Sequence, residues 1–203
     1  MASFTDPAAE APPAFPAPTL RLELEALLRR LPRRRFLATA AVTVPVVGLA
    51  LARFGMSGRF AVAAVFLGSL SLLSVIDIAE RRLPNRVVLP SFVAVLAAQT
   101  MLFPDRAPEW IFASVGASLA LLLLHLAYPR GLGLGDVKLA LLLGAGLGGA
   151  VMTALLLGSF AAAAFALVLL VRSRGAARYA AMPFGPFLAF GAVVALFLSA
   201  GTP

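Results

Sequence analysis

Six apolar runs divide the chain. Residues 36–52, 60–76, 87–103 and 184–200 hold 17 residues each, residues 110–128 hold 19, and residues 137–171 hold 35. At 1.5 Å per residue, a helix of the shorter runs reaches roughly 26–29 Å, close to the thickness of the hydrocarbon core of a bilayer. The long run would make a helix of about 52 Å, too long for a single crossing. It contains Gly144, Gly146, Gly148 and Gly149. The pattern therefore predicts two crossings that turn near Gly148 and Gly149, the first of them short. The expected fold class is all-α, a polytopic helical membrane protein of about seven transmembrane helices.

Ahead of these runs the pattern changes. Residues 20–31 place Leu20, Leu24, Leu27, Leu28 and Leu31 at helical spacing, which predicts a short amphipathic helix on the membrane surface or a solvated helical lead-in. Residues 1–19 carry Pro7, Pro12, Pro13, Pro16 and Pro18 among Ala, Ser and Thr. Such a stretch cannot form a packed core and reads as a disordered tail; it lacks the basic and apolar regions of a signal peptide. The expected organisation is a tail over 1–19, a basic amphipathic juxtamembrane segment over 20–35, and a transmembrane domain over 36–203.

Composition agrees with the pattern. Of 203 residues, 61% are hydrophobic and 13% charged, and mean hydropathy is +0.97. A soluble globule of this size could not hide so much apolar surface. Charge placement orients the helices. With the N-terminal tail inside, 14 of the 17 Lys and Arg residues fall on the inner side, and only Arg53, Arg59 and Arg106 fall outside. That is the asymmetry expected when basic loops stay cytoplasmic. Reading residues 137–171 as one crossing would put Arg172, Arg174 and Arg178 outside, so the bias also favours the split. The arginines sit at helix ends, where the membrane explains them, and nucleic acid is not an expected partner.

The chain has no Cys and one His. Disulfides, thiol nucleophiles and cysteine metal sites are excluded, and no metal is expected. The chemistry must rest on other groups. Asp6, Glu10, Glu23 and Glu25 lie in the tail, and Asp105 and Glu109 in an outer loop, where solubility accounts for them. Asp77, Glu80 and Asp136 remain, all at the inner boundary, and an acid at the hydrocarbon edge is costly enough to be a functional candidate. Each has an ordinary reading as well. Asp77 can pair with Arg81 one turn on. Glu80 can be a solvated interface charge. Asp136 can cap a helix beginning at Val137, preceded by the flexible Gly131, Gly133 and Gly135. His125 reads as a packed, hydrogen-bonded helix residue or a support near the site.

Taken together, Asp77 and Asp136 say more. The topology puts both on one side at similar depth. Two adjoining carboxylates sharing a proton are the minimum for aspartyl proteolysis, in which one takes a proton from water and the other polarises the carbonyl. Asp136 at a helix start and Asp77 near a helix end differ in dipole environment, which predicts Asp136 as the ionised partner.

The residues around them resemble a known family. Asp77 followed by Leu83-Pro84-Asn85 is similar to the first motif of bacterial prepilin peptidases, the type IV leader peptidases. Gly133-Leu134-Gly135-Asp136, followed by Val137-Lys138, resembles their second motif, of GxGD type. Pro183-Phe184-Gly185-Pro186 resembles their C-terminal motif. The resemblance covers about residues 33–200. It implies a membrane-embedded aspartyl endopeptidase of the inner membrane, removing the short basic leader of type IV prepilins or pseudopilins at the cytoplasmic face. Asp77 and Asp136 map onto its catalytic aspartates, and Pro84, Asn85, Gly133, Gly135, Lys138, Pro183, Gly185 and Pro186 are supporting motif positions. No cofactor is implied for the cleavage, and S-adenosylmethionine only where N-methylation is retained; the absence of Cys argues against the zinc site found in many members. Two other classes remain open from the residues alone. One is a different GxGD intramembrane protease, against which the Leu-Pro-Asn and Pro-Phe-Gly-Pro motifs argue. The other is a membrane transporter whose paired acids line an ion path.

Overall fold

The computed structural model describes residues 33–129, 131–173 and 182–199, and the expected tail and amphipathic segment over 1–32 lie outside these described residues. Among the described residues seven α-helices follow one another: α1 (Arg33–Phe54), α2 (Gly58–Glu80), α3 (Asn85–Leu102), α4 (Ala107–Ala127), α5 (Leu134–Leu147), α6 (Val151–Arg172) and α7 (Gly185–Ser199). Among the described residues four segments are long and apolar enough to cross a membrane: Gly58–Glu80, Asn85–Leu102, Pro104–Ala127 and Leu134–Arg172. Thr39–Phe54 and Gly185–Ser199 are shorter apolar helices. The chain is an all-α, multi-pass membrane protein.

The 39 residues of Leu134–Arg172 are broken where the glycines lie. Gly148 ends α5 at φ +55°, and a 3-10 turn over Gly148–Ala150 leads into α6. A positive φ costs little without a Cβ. Glu109 braces this turn. Its Oε1 accepts from the Gly149 N–H at 3.2 Å, while Arg106 pairs with its Oε2 at 2.8 Å. The expected role of Glu109 as a mere loop-solubility charge is thus corrected: it sits in the first turn of α4 and holds the start of the next hairpin.

The helices pair as α4 along α5 and α6 along α7, with α2 touching α1, α3 and α7, and α3 also lying against α5. On α2 the buried Val62, Phe66, Leu70, Leu73 and Ile76 recur at helical spacing. On α5 nine of 14 residues are buried, the mark of a helix enclosed by its neighbours. Large side chains such as Phe112 and Phe160 are exposed, as suits a hydrocarbon surrounding. Small residues permit the tightest approaches. A Cβ on Gly144 would overlap the backbone of Ser114 in α4. Gly144→Ala is therefore expected to destabilise the domain by about 1–3 kcal/mol through overpacking, seen as a lower thermal midpoint in detergent.

Candidate active site

Asp77 lies in the last turn of α2. Leu83 precedes Pro84 and is steered out of helical conformation, so the helix must end before it. It ends at Arg81, which takes the left-handed conformation at φ 51° and returns its N–H to the Asp77 carbonyl at 2.8 Å. For a side chain other than Gly that conformation costs about 1–2 kcal/mol. The Asp77 side chain is only 6% exposed. The surface ion pair with Arg81 allowed by the sequence does not form. The carboxylate turns inward instead, and its Oδ2 accepts the Gly185 N–H at 3.0 Å.

Gly185 is the first residue of α7, and the start of a helix leaves N–H groups without partners inside the helix. Pro186 follows it, tolerated in a first turn because it needs no N–H there. The Pro-Phe-Gly-Pro segment thus delivers a helix N-terminus to Asp77. Pro183 lies in the non-helical stretch leading in.

Asp136 is 8% exposed. The sequence reading made it the residue capping a helix that starts at Val137; the helix starts earlier, at Leu134, with Gly133 as the cap and Asp136 in the first turn. Its Oδ2 reaches back to accept the Gly133 N–H at 3.3 Å, and its own N–H goes to the Gly133 carbonyl at 3.1 Å. An acid at the third helical position commonly satisfies the cap in this way. Both carboxylates accept an N–H at a helix start, so the dipole asymmetry expected from sequence is lost and does not choose the ionised partner.

The first two motifs also touch. A Cβ on Gly135 would lie 3.0 Å from the Leu83 Cβ, so the small residue lets the start of α5 meet the α2–α3 loop. Lys138 Nζ donates to Asn85 Oδ1 at 2.8 Å. Asn85 is the first residue of α3, and Pro84 caps that helix, its carbonyl accepting from Val87 and Val88. Breaking the Lys138–Asn85 bond should loosen the aspartates' frame: Lys138→Ala and Asn85→Ala are each expected to lower turnover roughly threefold to tenfold, and the double variant no further, in a double-mutant cycle.

His125 stands at the end of α4 and its Nδ1 meets the Leu132 carbonyl at 2.7 Å. Since a carbonyl only accepts, this nitrogen carries the proton. It secures the loop ahead of Asp136 and is a hydrogen-bonded helix residue, as one of its two sequence readings had it. Glu80 is exposed at the end of α2. Among the described residues no group of three or more His, Asp or Glu is placed to hold a metal ion. The sequence marks Gly185 as a motif position but carries no signal that its N–H is the donor to Asp77, because the two lie 108 residues apart.

The arrangement can hold two acids out of water, each with one oxygen engaged and the other available. The family model described as the type IV leader peptidase family matches residues 64–167, a span that includes Asp77 and Asp136 but not the Pro183–Pro186 segment. The chain is similar to the prepilin leader peptidase/N-methyltransferase of Bacillus subtilis (strain 168), with 30% identity over 161 residues. That alignment covers 78% of this chain and 64% of the relative, so the chain spans less than two thirds of the relative's length. No solved structure matches it.

Proposed function

The chain belongs to the type IV leader peptidase family, and from that premise we propose that it is an aspartyl endopeptidase which removes the short leader from type IV prepilins or pseudopilins at the cytoplasmic face of the inner membrane. The observation that carries this reading is the meeting of three motifs around two buried carboxylates, with Gly185 held to Asp77 and the Gly133–Asp136 turn packed on Leu83.

In the proposed reaction the pair shares one proton. The ionised carboxylate takes a proton from a water molecule as its oxygen attacks the scissile carbonyl. The protonated carboxyl hydrogen-bonds the carbonyl oxygen, which gains the negative charge. Collapse of the tetrahedral intermediate breaks the C–N bond, and the proton collected from water passes to the leaving amine. One water is consumed, and a carboxyl and an amine result. Neither a metal nor a cofactor takes part in this hydrolysis. The substrate's apolar helix lies in the bilayer beside the enzyme, and nucleic acid has no part.

Co-expression with a candidate prepilin tests the proposal: wild type should convert precursor to mature form on a gel. The product's mass separates hydrolysis alone from hydrolysis followed by transfer of a methyl group, the second activity in the relative's name. A transporter would leave the precursor intact.

The proposal also requires a cytoplasmic N-terminus and seven crossings. Reporter fusions after Arg82 and after Arg178 should both report cytoplasm. Opposite signals would mean that the Leu134–Arg172 segment crosses only once and would overturn the seven-crossing topology. A further fusion after Pro129 should report the same side as the fusion after Arg82, and opposite signals from those two would place the Asp77 and Asp136 loops on different sides.

A further inference from the structure

A cavity of about 1090 Å³ opens at the end of the bundle away from the aspartates, between the α1–α2 turn, the starts of α2 and α4, and the ends of α3, α5 and α7. Its lining includes Arg53, Arg59 and Arg106. These are the three basic residues that the charge pattern assigns to this end, and all three reach the same cavity from separate elements. Arginines serving only as interfacial anchors would have no reason to converge. Arg59 lies over the Phe103 ring at 5.7 Å and Arg106 over Trp110 at 5.8 Å. Glu109 is the single acid in the lining, so three guanidinium groups face one carboxylate.

Below this basic rim the wall is apolar, with Val62, Phe66 and Leu196. In the α1–α2 turn and at the end of α3, two elements that frame the cavity, Met56 is 89% and Met101 82% exposed. Uncovered apolar side chains flanking arginines place the mouth where acyl chains give way to headgroups. A ligand that suits such a cavity is an amphiphile with an anionic head. Guanidinium forks match phosphate oxygens two at a time.

We propose that this cavity binds an anionic phospholipid, with Arg53, Arg59 and Arg106 holding the phosphodiester and an acyl chain lying along Val62, Phe66 and Leu196. The site is separate from the aspartates and does not rest on the peptidase reading.

The chain has one Trp, and Trp110 lines the cavity, so the unmodified protein carries its own reporter. The full chain is reconstituted in phosphatidylcholine vesicles doped with phosphatidylglycerol bearing brominated acyl chains, or with brominated phosphatidylcholine at the same fraction. Bromine quenches tryptophan fluorescence only at close range. The expected result is a roughly tenfold preference for the phosphatidylglycerol in the quenching titration. The preference should vanish in the Arg53→Gln/Arg59→Gln double variant at unchanged helicity, and persist in Arg82→Gln at the other end of the bundle. Equal quenching by both headgroups leaves the cavity to water or to a protein segment and overturns the proposal. So does a preference that survives in the double variant. Loss of the preference on adding inorganic phosphate, against chloride at matched ionic strength, would make this a site for free anions and would overturn it as well. The headgroup and phosphate arms need no variant, so misfolding of the double variant does not shield the proposal.

Discussion

Asp77→Asn and Asp136→Asn are each expected to abolish cleavage of a co-expressed prepilin, lowering turnover about a thousandfold or more, with the double variant no worse than either single one. Residues acting as one unit behave in this way, because the remaining member has no function alone. Asparagine keeps the shape and can still accept the Gly185 or Gly133 N–H, so the loss reports the missing carboxylate and not a collapsed helix end. Glu80→Ala and His125→Ala are expected to keep substantial activity, since Glu80 is exposed and the His125 ring bonds the Leu132 carbonyl in a loop. The measurement is the fraction of precursor processed over time at equal enzyme abundance. Full activity in Asp77→Asn would refute the pair. Loss in both aspartate variants together with loss in Glu80→Ala would point to a different acid set.

Gly185→Ala is expected to lose about a hundredfold in turnover while the protein still assembles in the membrane. A Cβ at this position would stand 2.8 Å from Asp77 Oδ2 and 3.3 Å from its Cγ. Either the carboxylate or the start of α7 must move, and a displacement near 1 Å at a reacting group costs roughly that factor. Gly191→Ala, further along the same helix, offers the contrast. There an added Cβ would overlap the Ala154 carbonyl of α6, and the cost falls on helix packing. Gly185→Ala should therefore show a reduced rate at near-normal abundance, and Gly191→Ala reduced abundance. A fully active Gly185→Ala protein would remove the C-terminal motif from the site.

Much of this was legible in the chain itself. Hydrophobic runs are local, and a membrane requires each to satisfy its own backbone as a helix. The runs therefore marked all seven helices, and Gly148 marked the break in the longest one, because a residue that accepts φ +55° is needed where the chain turns. Motif, charge bias and helix count likewise singled out Asp77 and Asp136 as candidates, and both are buried.

What failed were inferences that used neighbours in sequence as stand-ins for neighbours in space. Arg81, one turn from Asp77, was the obvious partner, yet Asp77 bonds Gly185, 108 residues away. Asp136 was expected to cap its own helix, but its carboxylate reaches back to Gly133 and the helix begins two residues before it. Glu109 was set aside as a loop charge, yet it braces Gly149, 40 residues on.

By itself, then, the sequence determined the helical class, the helix boundaries to within a few residues and the break at Gly148, and it singled out Asp77 and Asp136 as the candidate acids. Hydropathy and backbone restriction act within a few residues, and one chain is enough to read them. Only the tertiary structure decided which helix start faces Asp77, that Lys138 ties the second motif to Asn85, and that Arg53, Arg59 and Arg106 share one cavity. Those contacts are set by how closely whole helices pack, and that depends on Gly144, Gly158 and Gly191 meeting particular backbones across the bundle, a relation between distant positions that no local pattern records.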